Sequence, residues 1–279
     1  MIPRAFITEW QAHVPWAAPV QVEQDLILSR LIVEIAGNEL LGEELVMRGG
    51  TCLHKLHLSQ PYRFSEDLDY VRRTHGGIGQ YVTELRAIAE RVGLAASRVD
   101  SSGQMVRMLL DAEPTLPPGE IRIKIETNIA ETTFFKRTKK IKHVVESRWW
   151  SGETHVPTFA LDEMMATKFR ALYQRRKGRD LFDLWLVLTS EDGTPAEIVA
   201  GLDHYMKEDA FTYPQLRLNL LDKLANANFR SDLEPLLVEL PDGYDVDTAA
   251  DVVMEQLGAL LHNAPPLDEI ADGNWRRQG

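Results

Sequence analysis

The sequence predicts an α/β (α+β) fold: a small mixed sheet flanked by helices, followed by a helical C-terminal lobe. Three observations support this. Ile121, Ile123 and Ile125 alternate with Arg122, Lys124 and Glu126, the period of two of a half-buried strand. Residues 46–72, VMRGGTCLHKLHLSQPYRFSEDLDYVR, read as strand, glycine pair, short helix, loop and second strand. From Pro195 onward the spacing is helical, at roughly 195–208, 213–226, 231–238 and 247–262.

At 279 residues and 44% hydrophobic, the chain is long and apolar enough for two domains with full cores, assigned to 1–160 and 161–279. No run of 18 uncharged apolar residues occurs, which excludes a membrane-spanning helix, and the start MIPRAFITEWQAHVPW lacks the apolar core of a signal peptide. Cys52 is the single cysteine, so no internal disulfide can form and a cytoplasmic setting is expected. The net charge of −11 is uneven. Residues 231–279 hold 11 acidic and 2 basic residues, whereas residues 120–180 hold 14 Lys/Arg against 8 Asp/Glu. A local basic face on an acidic protein can still hold RNA, because phosphate contacts act within a Debye length of roughly 8–10 Å.

Taken in order, residues 1–19 read as irregular, with Pro3, Pro15 and Pro19 interrupting any helix. Leu26, Ile27, Leu31, Ile32 and Ile35 set a helix over Val20 to Gly37. Gly49 and Gly50 allow a sharp turn and close approach to a ligand, and Thr51 is placed to cap the next helix, whose early N–H groups suit phosphate. On the strand that follows, Asp67 and Asp69 share one face and Leu68 takes the other. Two carboxylates on one face call for a positive charge between them, and a hard divalent cation such as Mg²⁺ is the natural candidate.

A helix over 78–92 carries Tyr81, Leu85, Ile88 and Val92 on one stripe. Strands are predicted at Met105–Leu110 and Glu120–Ile129, with a turn at Pro114–Pro118. Glu126 lies on the polar face of the second, where it reads equally as a third metal-facing carboxylate or as a surface glutamate paired with Lys124 or Arg122. Phe134 and Phe135 precede Lys136, Arg137, Lys139, Lys140 and Lys142. That run reads either as an RNA-backbone contact with stacking or as a solvated edge strand guarded by lysines. Trp149–Gly152 reads as a turn and Thr154–Phe159 as a short strand. In ALDEMMATKFRALYQRRKGRDLFDLWLVL, Asp162 is placed to cap a helix over 163–174, Gly178 to stop it, and Arg179-Asp180 to start the next. Lys168 and Arg175 lie along one side of the first helix, and Asp180 and Asp183 share a face of the second. The tail 263–279 reads as frayed.

The order of glycine pair and Asp-x-Asp resembles the nucleotidyltransferase superfamily typified by DNA polymerase beta. RGGTCLHKL followed by RFSEDLDYV, with Lys168 and RDLFDL downstream, is more specifically similar to the AbiEii/AbiGii toxin family, which includes the MenT-type toxins. The resemblance covers roughly residues 20–190. It implies a nucleotidyltransferase-type sheet with its active site in a cleft beside the helical lobe. It implies transfer of a nucleoside monophosphate from an NTP to a hydroxyl with release of pyrophosphate. Asp67 and Asp69, joined by Glu126, would hold Mg²⁺ or Mn²⁺. Gly49, Gly50, Thr51 and Ser65 would line the triphosphate, Lys168 would contact its phosphates, and Asp183, ahead of Asp180, would be needed for activity. The implied acceptor is the 3′ end of a tRNA, and the basic balance of residues 120–180 sets the RNA along Lys136, Arg137, Lys139, Lys140 and Lys142, joined by Arg175 and Arg176. The implied partner is a cognate antitoxin encoded nearby, and the protein is expected to be a monomer. The gap from Gly50 to Asp67 departs from many superfamily members in being longer, which leaves the place of Ser65 open. Two other classes stay open: an enzyme acting on a small molecule or a protein, and a non-catalytic binding module of the same fold.

Overall fold

A computed structural model describes residues 2–190 and 192–277. The chain forms two compact units, Met1–Phe159 and Ala160–Gly279.

In the first unit, helices α1 (Arg4–Trp10), α2 (Pro19–Gly37) and α3 (Glu39–Glu44) lead into strand β1 (Leu45–Arg48) and the one-turn helix α4 (Gly49–Cys52). Strand β2 (Asp67–Arg72), helix α5 (Gly79–Val92) and strands β3 (Ala95–Ser102), β4 (Met105–Ala112), β5 (Ile121–Asn128), β6 (Lys139–Glu146) and β7 (Ser151–Thr158) follow. The seven strands form one sheet in the order β3-β4-β5-β2-β1-β7-β6. β2 runs antiparallel to β1 and parallel to β5, and β1 pairs parallel with β7, so the sheet is mixed and β2 lies inside it. The apolar stripe of α2 packs across β5, β6 and β7, and Leu26, Leu31, Ile32 and Ile35 are fully buried there.

The proline-rich start is not irregular. Pro3 stands just ahead of α1, where its missing N–H costs nothing, and Ile7 and Trp10 bury one face of the helix. The indoles of Trp10 and Trp16 each donate to Asp25 of α2 at 3.0 Å, and Lys55 donates to both Asp25 oxygens at 2.9 Å. That buried carboxylate ties the first residues to α2 and to the segment after the glycine pair. Strand β3 is also new, because AASRVDSS is almost wholly exposed and shows no apolar alternation. β7 begins at Ser151, so its first residues replace the predicted turn.

The second unit is helical: α6 (Leu161–Gln174), α7 (Gly178–Thr189), α8 (Pro195–Met206), α9 (Tyr213–Leu224), α10 (Ala227–Arg230) and α11 (Val246–Gln256). α6 packs on α7 and α8, and α7 packs on α11. Four expectations are corrected here. Asp162 does not cap α6: its carboxylate accepts from the Thr194 N–H at 2.8 Å. Gly178 does not stop α6. It opens α7, at a point where any Cβ would collide with the Phe229 carbonyl. Residues 263–277 do not fray, since Trp275 is fully buried and its indole donates to Asp251 at 2.7 Å. Residues 278 and 279 lie outside the described residues. The predicted helix at 231–238 shrinks to a single 3-10 turn, Glu234–Leu236.

Candidate active site

β1 ends at Arg48, and the chain turns at Gly49 with φ +85, a value that L side chains rarely adopt. The helix begins at Gly49 itself. Thr51 therefore sits inside the helix and not at its cap, and its hydroxyl donates to the Asp67 carbonyl at 2.5 Å and accepts from the Ser65 hydroxyl at 2.9 Å. One buried threonine thus fixes the long loop from Gly50 to Asp67 and places Ser65 beside the glycine turn. Beyond Cys52 the helix widens into a π-turn, Leu53–His57, closed by the Leu58 N–H to the Leu53 carbonyl at 3.1 Å. Such turns recur at functional sites.

The two glycines make room for the protein's own charged groups. A Cβ on Gly49 would strike the Asp69 carboxylate, and one on Gly50 would strike the Arg63 guanidinium, with Ser65 Oγ also 3.0 Å away. Arg63 is almost completely buried and also donates to the Phe64 carbonyl at 3.2 Å. Sequence reading passed over it, although it stands two residues before Ser65 in the same RFS run.

On β2 the burial alternates as predicted: Asp67 and Asp69 are half-buried, while Leu68 and Tyr70 are buried. Register with β5 sets Asp67 opposite Lys124 and Asp69 opposite Glu126, all on one face. Lys124 lies 3.0 Å from Asp67 Oδ2 and 3.3 Å from Glu126 Oε2. Arg107 of β4 adds a second cation, 2.7 Å from Glu126 Oε1. Burial pushes the Asp67 carboxyl up against the pull of Lys124, with help from the charges of Glu66 and Glu126. Burial also opposes ionisation of Glu126, but hydrogen bonds from Arg107 and Lys124 win and hold its carboxyl below the usual range. The face is therefore short of positive charge at Asp67 and satisfied at Glu126.

The donors on this face are hard carboxylate oxygens, which suit Mg²⁺ or Mn²⁺. Among the described residues no group of three His, Cys, Asp or Glu side chains could hold a metal ion alone. The fit is to a cation held by a pair of carboxylates and completed by substrate phosphates, the usual way Mg²⁺ binds.

In the second unit, α6 and α7 bring Lys168, Arg175, Asp180 and Asp183 together. Lys168 Nζ lies 2.8 Å from Asp183 Oδ2 and 3.5 Å from Asp180 Oδ1. Both carboxylates are fully buried and Lys168 is 6% exposed. Arg175 grips Asp180 through two hydrogen bonds of 2.7 and 2.8 Å, which fixes the fork of a residue expected to face RNA. Arg176 pairs with Asp222. In the first unit, Lys139, Lys140 and Lys142 are exposed on β6, an edge strand, and Arg137 is exposed just before it, while Lys136 is half-buried. Phe134 does not stand free to stack, because it packs edge-on against Phe159 at 5.5 Å.

Among the described residues, no helix is long and apolar enough to cross a membrane. Among solved structures, the fold is similar to MenT4, a nucleotidyltransferase toxin from Mycobacterium tuberculosis, with a TM-score of 0.67 and 18% identity over 100% of this chain and 96% of that one. It is also similar to JHP933 from Helicobacter pylori, with a TM-score of 0.51 and 16% identity over 92% and 94% of the two chains. Comparison with curated proteins finds no match. The family profile described as nucleotidyl transferase AbiEii toxin, type IV toxin–antitoxin system, matches residues 30–252. The chain belongs to this AbiEii family, and is thus a nucleotidyltransferase toxin with an NTP substrate and a cognate antitoxin.

Proposed function

We propose that the protein transfers a nucleoside monophosphate from an NTP to a hydroxyl at the 3′ end of a tRNA, with release of pyrophosphate and dependence on Mg²⁺ or Mn²⁺. The observation that carries this is the pair Asp67 and Asp69 on one face of β2, with the Gly49–Gly50 turn closed against Asp69. Asp67 and Asp69 would hold the metal, and Glu126, the third carboxylate of the face, would stay beside it paired with Arg107 and Lys124. When bound, the ion supplies charge to the phosphates and stabilises the attacking and leaving oxygens.

Residues 1–160 are the catalytic domain, and Lys168 and Asp183 belong to the helical lobe 161–279. Gly49, Gly50, Thr51 and Ser65 shape the triphosphate site, with Thr51 acting through its bonds to Ser65 and Asp67. Lys168 gives a point cation to the phosphates, and Asp183, 2.8 Å away, orients it. RNA runs along Lys136, Arg137, Lys139, Lys140 and Lys142, and Arg175 and Arg176 join it only by giving up Asp180 and Asp222. The enzyme acts in the cytoplasm as a monomer.

The test is incubation with each labelled NTP, Mg²⁺ and total RNA. Label on the 3′ end of tRNA is the expected result. Label on protein or on a small molecule alone would move the acceptor, and no transfer under any condition would defeat the proposal.

A further inference from the structure

The carboxylates of β2 and β5 already have a cation between them. Lys124 projects from β5 directly opposite Asp67, and its ammonium spans Asp67 and Glu126 at 3.0 and 3.3 Å. Its side chain is 32% exposed and that of Asp67 35%, so neither is locked in place by packing. The charge pattern is uneven: Glu126 keeps Arg107 at 2.7 Å if Lys124 leaves, whereas among the described residues Lys124 is the one cation within salt-bridge distance of Asp67. A partly exposed lysine shared between two carboxylates can let go of one and keep the other, so its hold on Asp67 is open to competition. An incoming divalent ion is the stronger ligand for the same oxygens.

We propose that Lys124 is a built-in counter-ion of this face, which holds Asp67 in the absence of metal and is displaced from it when the divalent ion binds. The proposal rests on the assignment of Asp67 as a metal ligand. Displaced, the ammonium stays on the same sheet face through its bond to Glu126, as a cation turned toward the arriving phosphates. Lys124 therefore competes with the metal and makes the first binding step weaker than the bare carboxylates would allow. It also keeps the face from standing open with three carboxylates and one cation.

The experiment is a Mn²⁺ titration without nucleotide, read by electron paramagnetic resonance, on the wild type and on Lys124→Gln, Lys124→Arg and Asp67→Asn. Lys124→Gln should bind Mn²⁺ about tenfold more tightly, the scale of one unit charge removed at contact distance in partly screened surroundings. Lys124→Arg keeps the charge and should stay near the wild type. A second readout needs no substitution: acetylation of Lys124 in the wild type, followed by mass spectrometry, should speed up several-fold when Mn²⁺ is added. Unchanged Mn²⁺ affinity in Lys124→Gln, with binding lost in Asp67→Asn, would overturn the role of Lys124 and leave the metal face intact. Unchanged affinity in both variants would overturn the metal assignment itself. Acetylation that slows or stays constant with Mn²⁺ would overturn displacement.

Discussion

Two places in this protein set a lysine against a pair of carboxylates, Lys124 against Asp67 and Glu126 and Lys168 against Asp183 and Asp180, and they behave as opposites. On β2, Asp67 and Asp69 are half-exposed, and the Asp67 carboxyl is pushed up because burial and neighbouring acids outweigh Lys124. On α6 and α7, Asp180 and Asp183 are fully buried, and Lys168 and Arg175 hold them at hydrogen-bond distance. The first cluster has room and need for another cation. The second is closed and complete, and its product is a lysine held in one position. The same residue types thus make a binding face in one region and a positioning device in the other, and the difference is set by burial.

Substitution should separate the two regions, and the largest effect is on chemistry. Asp67→Asn or Asp69→Asn should cut nucleotide transfer by about 10²–10³ or more, the usual cost of losing electrostatic stabilisation at a reacting centre. Their urea midpoints should stay close to the wild type. Turnover near the wild-type level at saturating Mg²⁺ would end the role assigned to β2. Lys168→Ala should show the reverse balance. It leaves buried Asp183 without its 2.8 Å cation, so unfolding free energy should fall by about 3–5 kcal/mol, the cost of breaking a buried pair. Measured on the folded fraction, transfer should fall too. A variant as stable as the wild type would show that the α6–α7 cluster is not a closed network.

Acid should act on the first unit through two histidines. Burial lowers His57 to about 4, and burial together with the nearby Lys55 charge lowers His143 to about 4. Both are held neutral in the fold while the unfolded chain binds a proton near 6.5. Their contribution is complete above pH 6.5 and is lost as pH falls toward 4, at up to about 1.4 kcal/mol per pH unit for each histidine. Thermal unfolding between pH 7 and pH 4 should show this decline, and His143→Gln should flatten it. A curve of equal slope in that variant would place the acid sensitivity elsewhere. The smallest effect concerns β6. Changing Lys139, Lys140 and Lys142 together to Glu should lower stability by about 1 kcal/mol at most, chiefly at Lys142, whose 2.9 Å pair with Glu153 becomes a like-charge contact. It should reduce the salt dependence of RNA binding by about 0.7 in log–log slope per lost contact. An unchanged slope would take the RNA path away from this edge.

Much of the β2 site was legible because strand alternation is a two-residue rule that needs no tertiary knowledge. Leu68 buried between Asp67 and Asp69 follows from it directly, as do the isoleucines of β5. What stayed hidden depends on strand order and on loops closing over distance. Lys124 meets Asp67 only because β2 and β5 are neighbours in parallel register, which nothing in either segment encodes. The glycine pair was legible as a turn but not in its purpose, since the groups it admits, Asp69 and Arg63, arrive from a later stretch. Strand β3 escaped because it is an exposed edge paired only with β4 and therefore carries no apolar signature. The tail was misread for the opposite reason. Prolines and charges there hide Ile270 and Trp275, two buried anchors with no periodic companions.

Cys52 has a use that its chemistry alone would not suggest. It is wholly buried at the last position of α4, three residues from the Gly49 turn, with its thiol 2.9 Å from the Thr158 hydroxyl on β7. As the single thiol in the chain, it is a clock built into the turn. A thiol reagent can reach it only when that turn lifts off the sheet, so the labelling rate under native conditions counts those openings. Each tenfold slowing on addition of NTP and metal would correspond to about 1.4 kcal/mol of closure at that turn, read without a mutation.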